Sequence, residues 1–245
     1  MATVILVRHG RTTANTAGVL AGRAAGVSLD DVGRAQASAV GERLAPVPLD
    51  AVVTSPLDRC KQTAAAVLGA QQGKPARFTD KGITECDYGE WQGRALKTLA
   101  KEPLWKTVQT QPSAAEFPGG ESMTAMQARA VAAVRRRDAA LEAEHGPGAV
   151  WVAVSHGDVI KSVLADALGM HLDLFQRIHV DPASVSIIRY TATRPFVLAS
   201  NTHGGDLSWL VPPPPKKGRA RKTASSAAGG DAAVGGGAGP SPAAS

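Results

Sequence analysis

The chain has 245 residues, of which 44% are hydrophobic, 20% charged and 4% aromatic, and its formal net charge is +6. This length suits one well-packed domain, and the composition is ordinary for a globular protein. No run of eighteen apolar residues occurs, which argues against a membrane-spanning helix or a membrane partner. The opening MATVILVRHG has no basic region before its short apolar run, so it is interpreted as a strand rather than a signal peptide, and a cytoplasmic location is expected.

The positive charge is concentrated in a Pro/Gly/Ala-rich tail, residues 211–245. From Pro212 onward, five basic residues stand against one acidic residue, so residues 1–210 are close to neutral. A near-neutral body gives no electrostatic reason to expect a nucleic-acid partner. The tail has few side chains to bury, so we predict that it is disordered and that residues 1–210 form the folded domain.

Short apolar runs alternate with amphipathic segments along residues 1–210. The predicted strands are Thr3–Val7, Ala51–Thr54, Val150–Val154, Ser184–Tyr190 and Pro195–Ser200. The predicted helices run from about Asp31 to Leu44, from after Pro56 to about Leu68, from Glu121 to about Glu144, and from Val159 to Leu168. This alternation predicts an α/β fold, a three-layer α/β/α sandwich with a mostly parallel central sheet.

Two of these strands end directly in a histidine followed by glycine. The first leads into Arg8-His9-Gly10, and the strand at Val150–Val154 leads into Ser155-His156-Gly157. In parallel sheets, ligands bind beyond the carboxyl ends of the strands. We therefore expect both imidazoles to line one pocket.

The residues at these ends suit the chemistry of a phosphomonoester. Its cleavage needs a nucleophile, cations around the phosphoryl oxygens and an acid for the departing alkoxide. The neutral imidazole of His9 is a competent nucleophile, and the adjacent Arg8 disfavours its protonation. Arg59 follows the second predicted strand and can hold phosphate oxygens bidentately, while His156 can donate a hydrogen bond to the phosphoryl group.

Four motifs occur in the order typical of the histidine phosphatase superfamily, the phosphoglycerate-mutase-like family. They are Arg8-His9-Gly10 with Asn15, Ser55-Pro56 with Arg59, Glu85-x-x-Tyr88-Gly89-x-x-Gln92-Gly93, and His156-Gly157. The resemblance spans residues 3 to about 203. It implies a phosphohistidine on His9, phosphate binding by Arg8, Arg59 and His156, and proton donation by Glu85. It also implies that Asn15, Gly22 and Gly157 contribute to the substrate pocket.

Glu85 also makes physical sense as the acid. A carboxyl in a partly closed site has a raised pKa and can hold a proton near neutral pH. Asp87 and Glu90 lie close by in the sequence and are its rivals.

The chain departs from the family pattern in two places. Arg11 stands where the family usually has Glu or Gln; it is expected to add positive charge at the mouth, favouring a second anionic group on the substrate, or to be without consequence. Ala21 replaces a Thr or Ser before Gly22, which removes one polar contact. The segment Asn201-Thr202-His203-Gly204 resembles the last strand of phosphatase branches and receives no role.

Hydrolysis is favoured over mutase activity. Mutases of this family carry a long insertion that keeps water from the phosphohistidine, whereas fewer than thirty residues separate Gly93 from the helix at Glu121. The sequence also resembles an actinobacterial-type branch labelled phosphomutase or phosphatase, a label that rests on fold-level analogy. A mutase and a non-catalytic anion-binding scaffold are the alternatives.

No cofactor or metal is expected. No group of residues has metal-ligand spacing, so activity should persist in chelator, and Cys60 and Cys86 are interpreted as reduced thiols. A small phosphorylated molecule is the expected partner. Its identity depends on the segment Lys97–Glu121, and the sequence leaves a homodimer open.

Overall fold

The computed structural model describes residues 2–204, so the predicted tail at 211–245 lies outside the described residues. The strands are β1 Thr3–Arg8, β2 Ala51–Thr54, β3 Ala76–Thr79, β4 Val150–Ser155, β5 Val185–Tyr190 and β6 Pro195–Thr202. The α-helices are α1 Thr13–Thr16, α2 Asp31–Leu44, α3 Asp58–Ala70, α4 Leu96–Leu99, α5 Pro103–Thr110, α6 Met123–His145 and α7 Gly157–Ala167. Four short 3₁₀ helices lie at Lys81–Ile83, Gly89–Trp91, Pro112–Ala114 and Leu172–Arg177.

The strands form one six-stranded sheet in the order β3-β2-β4-β1-β5-β6. The first four strands in that order run parallel to one another, whereas β5 pairs antiparallel with β1 and β6 antiparallel with β5. The prediction of an α/β fold with a mostly parallel sheet is confirmed. Because β1, β2 and β4 are adjacent and parallel, their carboxyl ends meet at one edge of the sheet.

Each face of the sheet is covered by helices. On β1, Val4 and Leu6 belong to the core that includes the buried side chains of α6 and α7. Ile5 and Val7 alternate with them and pack against α2 and α3 on the opposite face. This alternation follows from the two-residue period of a strand and produces the three layers that the sequence predicted.

The sequence prediction missed strand β3. Its residues Ala76-Arg77-Phe78-Thr79 form a short edge strand in which only Ala76 and Phe78 pack against the core, while Arg77 and Thr79 are exposed. Four residues with two polar members give a weak strand pattern. The strand that ends at His156 is therefore the fourth in the chain rather than the third.

Helix α7 begins two residues earlier than predicted. It starts at Gly157 instead of Val159, and His156 is its N-cap residue. The imidazole thus lies between the end of a central strand and the first turn of a helix, where its backbone is fixed on both sides. No helix of residues 2–204 is long and apolar enough to cross a membrane.

Candidate active site

The end of β1 fixes the orientation and the tautomer of His9. Its Nδ1 lies 2.7 Å from the carbonyl oxygen of Gly10. A carbonyl only accepts, so Nδ1 carries the proton and Nε2 carries the lone pair. Gly10 is required for this turn, because a Cβ there would lie 2.4 Å from the backbone oxygen of Gly33. The Gly10 N–H donates to Thr63 Oγ1 at 3.1 Å, which holds the turn against α3.

The surroundings keep His9 neutral. The side chain is nearly inaccessible, and burial lowers the pKa of the imidazole well below its usual value, with the positive charges of Arg59 and Arg8 lowering it further. The nitrogen that faces the site is therefore an unprotonated, nucleophilic atom at neutral pH.

Arg59 on the first turn of α3 contacts both histidines. Its Nε donates to His9 Nε2 at 3.2 Å, and its Nη2 donates to His156 Nδ1 at 3.2 Å and to the Gly22 carbonyl at 2.7 Å. The Nη1 atom is buried and has no hydrogen-bond partner among residues 2–204. A buried guanidinium with a spare donor is suited to an oxyanion.

His156 has the opposite tautomer to His9. Because its Nδ1 accepts from the Arg59 guanidinium, its proton lies on Nε2, which donates to Ser55 Oγ at 2.8 Å. Burial and the neighbouring Arg59 lower the pKa of this imidazole well below its usual value. The two rings meet edge-on, with centroids 5.3 Å apart. The two strand-end histidines therefore converge, as predicted.

Arg8 completes the cationic set from the last position of β1. Its side chain is 1% exposed, and Nη1 donates to the Val180 carbonyl at 2.8 Å. Burial lowers the pKa of the guanidinium, and the carboxylates of Glu85 and Asp158 oppose that effect. Two buried guanidiniums therefore surround His9.

Glu85 brings a carboxyl group to the same place from residues 84–93, here called the acid loop. Its Oε2 lies 3.8 Å from His156 Nδ1, and its Oε1 accepts from the Cys86 N–H at 3.0 Å. Burial, followed by the charge of Asp158, raises the pKa of Glu85 to about 7. A carboxyl with this pKa is half protonated near neutral pH and can act as a general acid.

The two rival acids are placed differently. Asp87 accepts from Arg23 Nη1 at 3.0 Å in a half-exposed ion pair, and the Glu90 side chain is exposed. Of these three carboxyls, Glu85 is the one that lies within 4 Å of an active-site histidine, His156.

A charged network that the sequence did not reveal holds the acid loop. The side chains of Arg23 and Arg129 donate to the backbone oxygen of Glu85 at 2.9 and 3.0 Å. Both arginines also donate to Glu121, whose Oε1 accepts the N–H of Asp87 at 2.8 Å. Segments that are far apart in the chain thus fix the acid. The Gly119-Gly120-Glu121-Ser122 motif is the one sequence feature that could have indicated a role for Glu121 in this network.

The three predicted pocket residues have different local roles. The Gly22 carbonyl accepts from Arg59. Its φ of +53° disfavours a side chain, and an added Cβ would lie 2.9 Å from the Gln92 side chain and 3.2 Å from the Tyr88 ring. Gly157 is the first residue of α7. Asn15 forms a capping box with Thr12, so its Oδ1 is engaged in local hydrogen bonds.

Arg11 does not add a free positive charge at the mouth. Its Nε lies 2.8 Å from Asp30 Oδ2, and the same carboxylate caps α2 through the Gly33 N–H. The ion pair neutralises the guanidinium, so the expected attraction for a second anionic group is not supported. Ala21 is partly exposed.

Other residues that the sequence singled out serve the core or the surface. Trp91 stacks on Trp105 with ring centroids 6.1 Å apart and Met123 is fully buried, so these side chains belong to the core packing. Cys60 and Cys86 are free thiols, both fully buried. Within residues 2–204, no group of three or more His, Cys, Asp or Glu side chains could hold a metal ion.

Similar proteins place this geometry in context. The chain is 32% identical over 166 residues to phosphoglycerate mutase-like protein 4 of Arabidopsis thaliana, covering 66% of this chain and 69% of the relative. It is 29% identical over 207 residues to phosphoserine phosphatase 1 of Hydrogenobacter thermophilus, covering 82% and 92%. The chain spans only 50% of a 33% identical bifunctional protein of Mycobacterium tuberculosis.

Solved structures share the fold. The alpha-ribazole phosphatase of Shigella flexneri superposes with a TM-score of 0.71 at 25% identity, covering 83% of this chain and 99% of that structure. A phosphoserine phosphatase of Entamoeba histolytica, 21% identical, superposes with a TM-score of 0.72 over 82% of this chain and 98% of that structure. The family model of the histidine phosphatase superfamily, branch 1, matches residues 4–203. The chain that carries these buried histidines and arginines therefore belongs to the histidine phosphatase superfamily.

Proposed function

We propose that this protein is a phosphatase that hydrolyses a small-molecule phosphomonoester through a phosphohistidine on His9. The observation that carries the proposal is the position of His9 Nε2. This unprotonated nitrogen contacts the Arg59 guanidinium, and the same site also holds His156 and Glu85. Relatives named phosphatases support the same class of reaction.

In the first step, the His9 Nε2 lone pair attacks phosphorus and the bond from phosphorus to the ester oxygen breaks. The electron pair of that bond leaves with the oxygen, which takes the proton of Glu85. Arg8 and Arg59 stabilise the charge on the remaining phosphoryl oxygens. His156 interacts with the same oxygens, and the anion favours the doubly protonated form of its ring.

In the second step, water attacks the phosphorus of phosphohistidine. The Glu85 carboxylate takes a proton from the water, the P–N bond breaks and its electrons return to His9 Nε2. Inorganic phosphate is released, and both side chains recover their starting protonation states. One carboxyl serves as acid and then as base, which its pKa of about 7 allows.

The short segment between the acid loop and α6 favours hydrolysis over transfer to a second substrate. The segment between the acid loop and α6 contains only the short helices α4 and α5 and one 3₁₀ turn. Mutase activity remains the second candidate, since one relative is named phosphoglycerate mutase-like.

Rapid quenching during turnover of a ³²P-labelled phosphomonoester tests the proposal. We expect acid-labile, base-stable label on His9, and a fall of at least about 10³-fold in hydrolysis for His9→Ala, because the nucleophile is removed. His171→Ala, on a largely exposed side chain, is the matched control and should retain activity. Wild-type protein that releases phosphate without labelling His9 would exclude this mechanism.

Efficient isomerisation of 3-phosphoglycerate with a bisphosphate primer, without phosphate release, would establish the mutase instead.

A further inference from the structure

A buried polar cluster lies behind the site, and the reaction described above does not use it. Asp158 and Lys161 are in the first turns of α7, and Tyr88 comes from the acid loop. Their exposed fractions are 0%, 2% and 0%. A carboxyl group, an amine and a phenol are therefore buried inside the protein.

The cluster is connected by polar contacts. Tyr88 Oη donates to Asp158 Oδ2 at 2.7 Å, and Lys161 Nζ lies 3.8 Å from Asp158 Oδ1. Lys161 Nζ also donates to Gln176 Oε1 at 2.9 Å and lies 5.3 Å from the centre of the Phe175 ring. The Lys161 ammonium thus lies in the core beside a carboxylate, an amide oxygen and an aromatic ring.

Packing alone does not account for such a cluster. Removing two charges from water costs several kcal/mol for each ion, and apolar residues of similar volume often stabilise a core better than a buried ion pair. The position of the cluster is more informative. Tyr88 is three residues after Glu85, and Asp158 is two residues after His156. Their hydrogen bond therefore joins the acid loop to the first turn of α7, next to the 3.8 Å contact between Glu85 and His156.

We propose that Asp158 is a positioning residue for the acid: through Tyr88 it holds the acid loop, and with it Glu85, against the first turn of α7. Its negative charge also favours the protonated form of Glu85. This inference rests on the proposed function, because it assumes that Glu85 donates a proton. Tyr88 remains a donor because burial raises the pKa of its phenol well above the usual value.

The charges around Glu85 are consistent with this role. Arg8 from β1 and Arg59 from α3 favour the carboxylate of Glu85 and lower its pKa, whereas Asp158 from α7 raises it. Arg129 from α6 and Arg23 from the segment after α1 donate to the backbone oxygen of Glu85. Burial raises the pKa of Glu85 most, and the charge of Asp158 adds to that effect against the two arginines.

The pH dependence of kcat/KM, measured with two substrates, tests the role of Asp158. An alkyl phosphate needs a proton on its departing oxygen, whereas p-nitrophenyl phosphate has a leaving group that needs little help. For Asp158→Asn, we expect the basic limb with the alkyl phosphate to move to lower pH by about one unit. At pH 8, the loss should reach about 10-fold for the alkyl phosphate and stay below about 3-fold for the aryl phosphate.

Two further variants separate charge from folding. Asp158→Asn with Lys161→Met removes both buried charges together and should show the same shift if the single variant is unstable. Tyr88→Phe keeps the carboxylate, so it should lower the rate with the alkyl phosphate without moving the basic limb. Circular dichroism and thermal unfolding of each variant check that the fold is retained.

The outcomes distinguish the two proposals. If the wild type hydrolyses both substrates and the Asp158 variants keep its pH profile, or lose both activities equally, the role of Asp158 is excluded. If the wild type hydrolyses neither substrate, the proposed function fails, and the role of Asp158 fails with it. A shift confined to the alkyl phosphate supports the inference.

Discussion

The side of the site that holds His9, Arg59 and His156 and the acid loop are built by different means. His9, Arg59 and His156 lie directly after strands or in the first turn of a helix, so the backbone of the central sheet places them. Glu85 lies in irregular structure, and the side chains of Arg23 and Arg129 hold its backbone from distant parts of the chain. The first arrangement is set by secondary structure, whereas the second depends on side-chain contacts. Substitutions should therefore affect the two sides differently.

The largest effect is expected at Arg59, which contacts both histidines. Arg59→Ala should lower kcat/KM for an aryl phosphate by about 10³-fold, and Arg59→Lys by about 10²-fold, because lysine lacks the fork that binds two oxygens. Steady-state kinetics measures both values. Arg34→Ala, at an exposed arginine, is the control. A loss below 10-fold for Arg59→Ala would remove this guanidinium from the phosphate-binding set.

On the acid loop, Glu85→Gln should lower kcat/KM for an alkyl phosphate by about 10²-fold, with a smaller loss for an aryl phosphate. The proposed mechanism requires a protonated Glu85 in the wild type, so kcat/KM should fall as the pH rises through about 7. The pH profile of the variant should lack this limb. Asp87→Asn and Glu90→Gln are the comparison, and a larger loss in Asp87→Asn would transfer the acid role to Asp87.

The turn after β1 is expected to be intolerant of side chains. Gly10→Ala places a Cβ 2.4 Å from the Gly33 backbone oxygen, so we expect the free energy of unfolding to fall by about 1–3 kcal/mol. Gly73→Ala, where no atom lies within 4 Å of the added carbon, should change it by less than about 0.5 kcal/mol. Urea denaturation compares the two. Equal stabilities would mean that the turn adapts to the methyl group.

The smallest effect is expected at Asp181, the residue after Val180, whose carbonyl accepts from Arg8. Its carboxylate accepts from His179, His203 and Asn201, and these hydrogen bonds hold its pKa well below the usual value against the effect of burial. A lowered folded-state pKa stabilises the fold above the unfolded value of about 3.9, and this contribution is lost as the pH falls below it.

Asp181→Asn should therefore cost about 1 kcal/mol at pH 7 and reduce the loss of stability in acid. Unfolding measured between pH 3 and pH 7 gives both quantities. Asp31→Asn, on an almost fully exposed side chain, is the control. An unchanged acid dependence in Asp181→Asn would contradict the assignment.

The contrast between residues placed by strand ends and residues held by side-chain contacts also explains what could be predicted from the sequence. The strand–histidine–glycine patterns located His9 and His156 correctly because local hydrophobic patterning places strand ends. Glu85 followed from the family resemblance. The sequence did not reveal the pairing of Arg11 with Asp30, or that of Arg23 with Glu121 across 98 residues, because such contacts form only when distant segments meet. Strand β3 was missed because two of its four residues are polar and exposed.

The contacts of Arg59 have a consequence for which anions the protein can bind. Arg59 Nη1 is the spare donor, whereas Nε and Nη2 already donate to the lone pairs of His9 and His156, so a phosphoryl group that binds two guanidinium nitrogens needs at least one of these. An incoming anion must compete with two neutral nitrogen acceptors, and a doubly charged oxyanion replaces them more effectively than a monovalent ion such as chloride. We expect such a site to discriminate against abundant small anions before any part of a substrate beyond the phosphate is recognised.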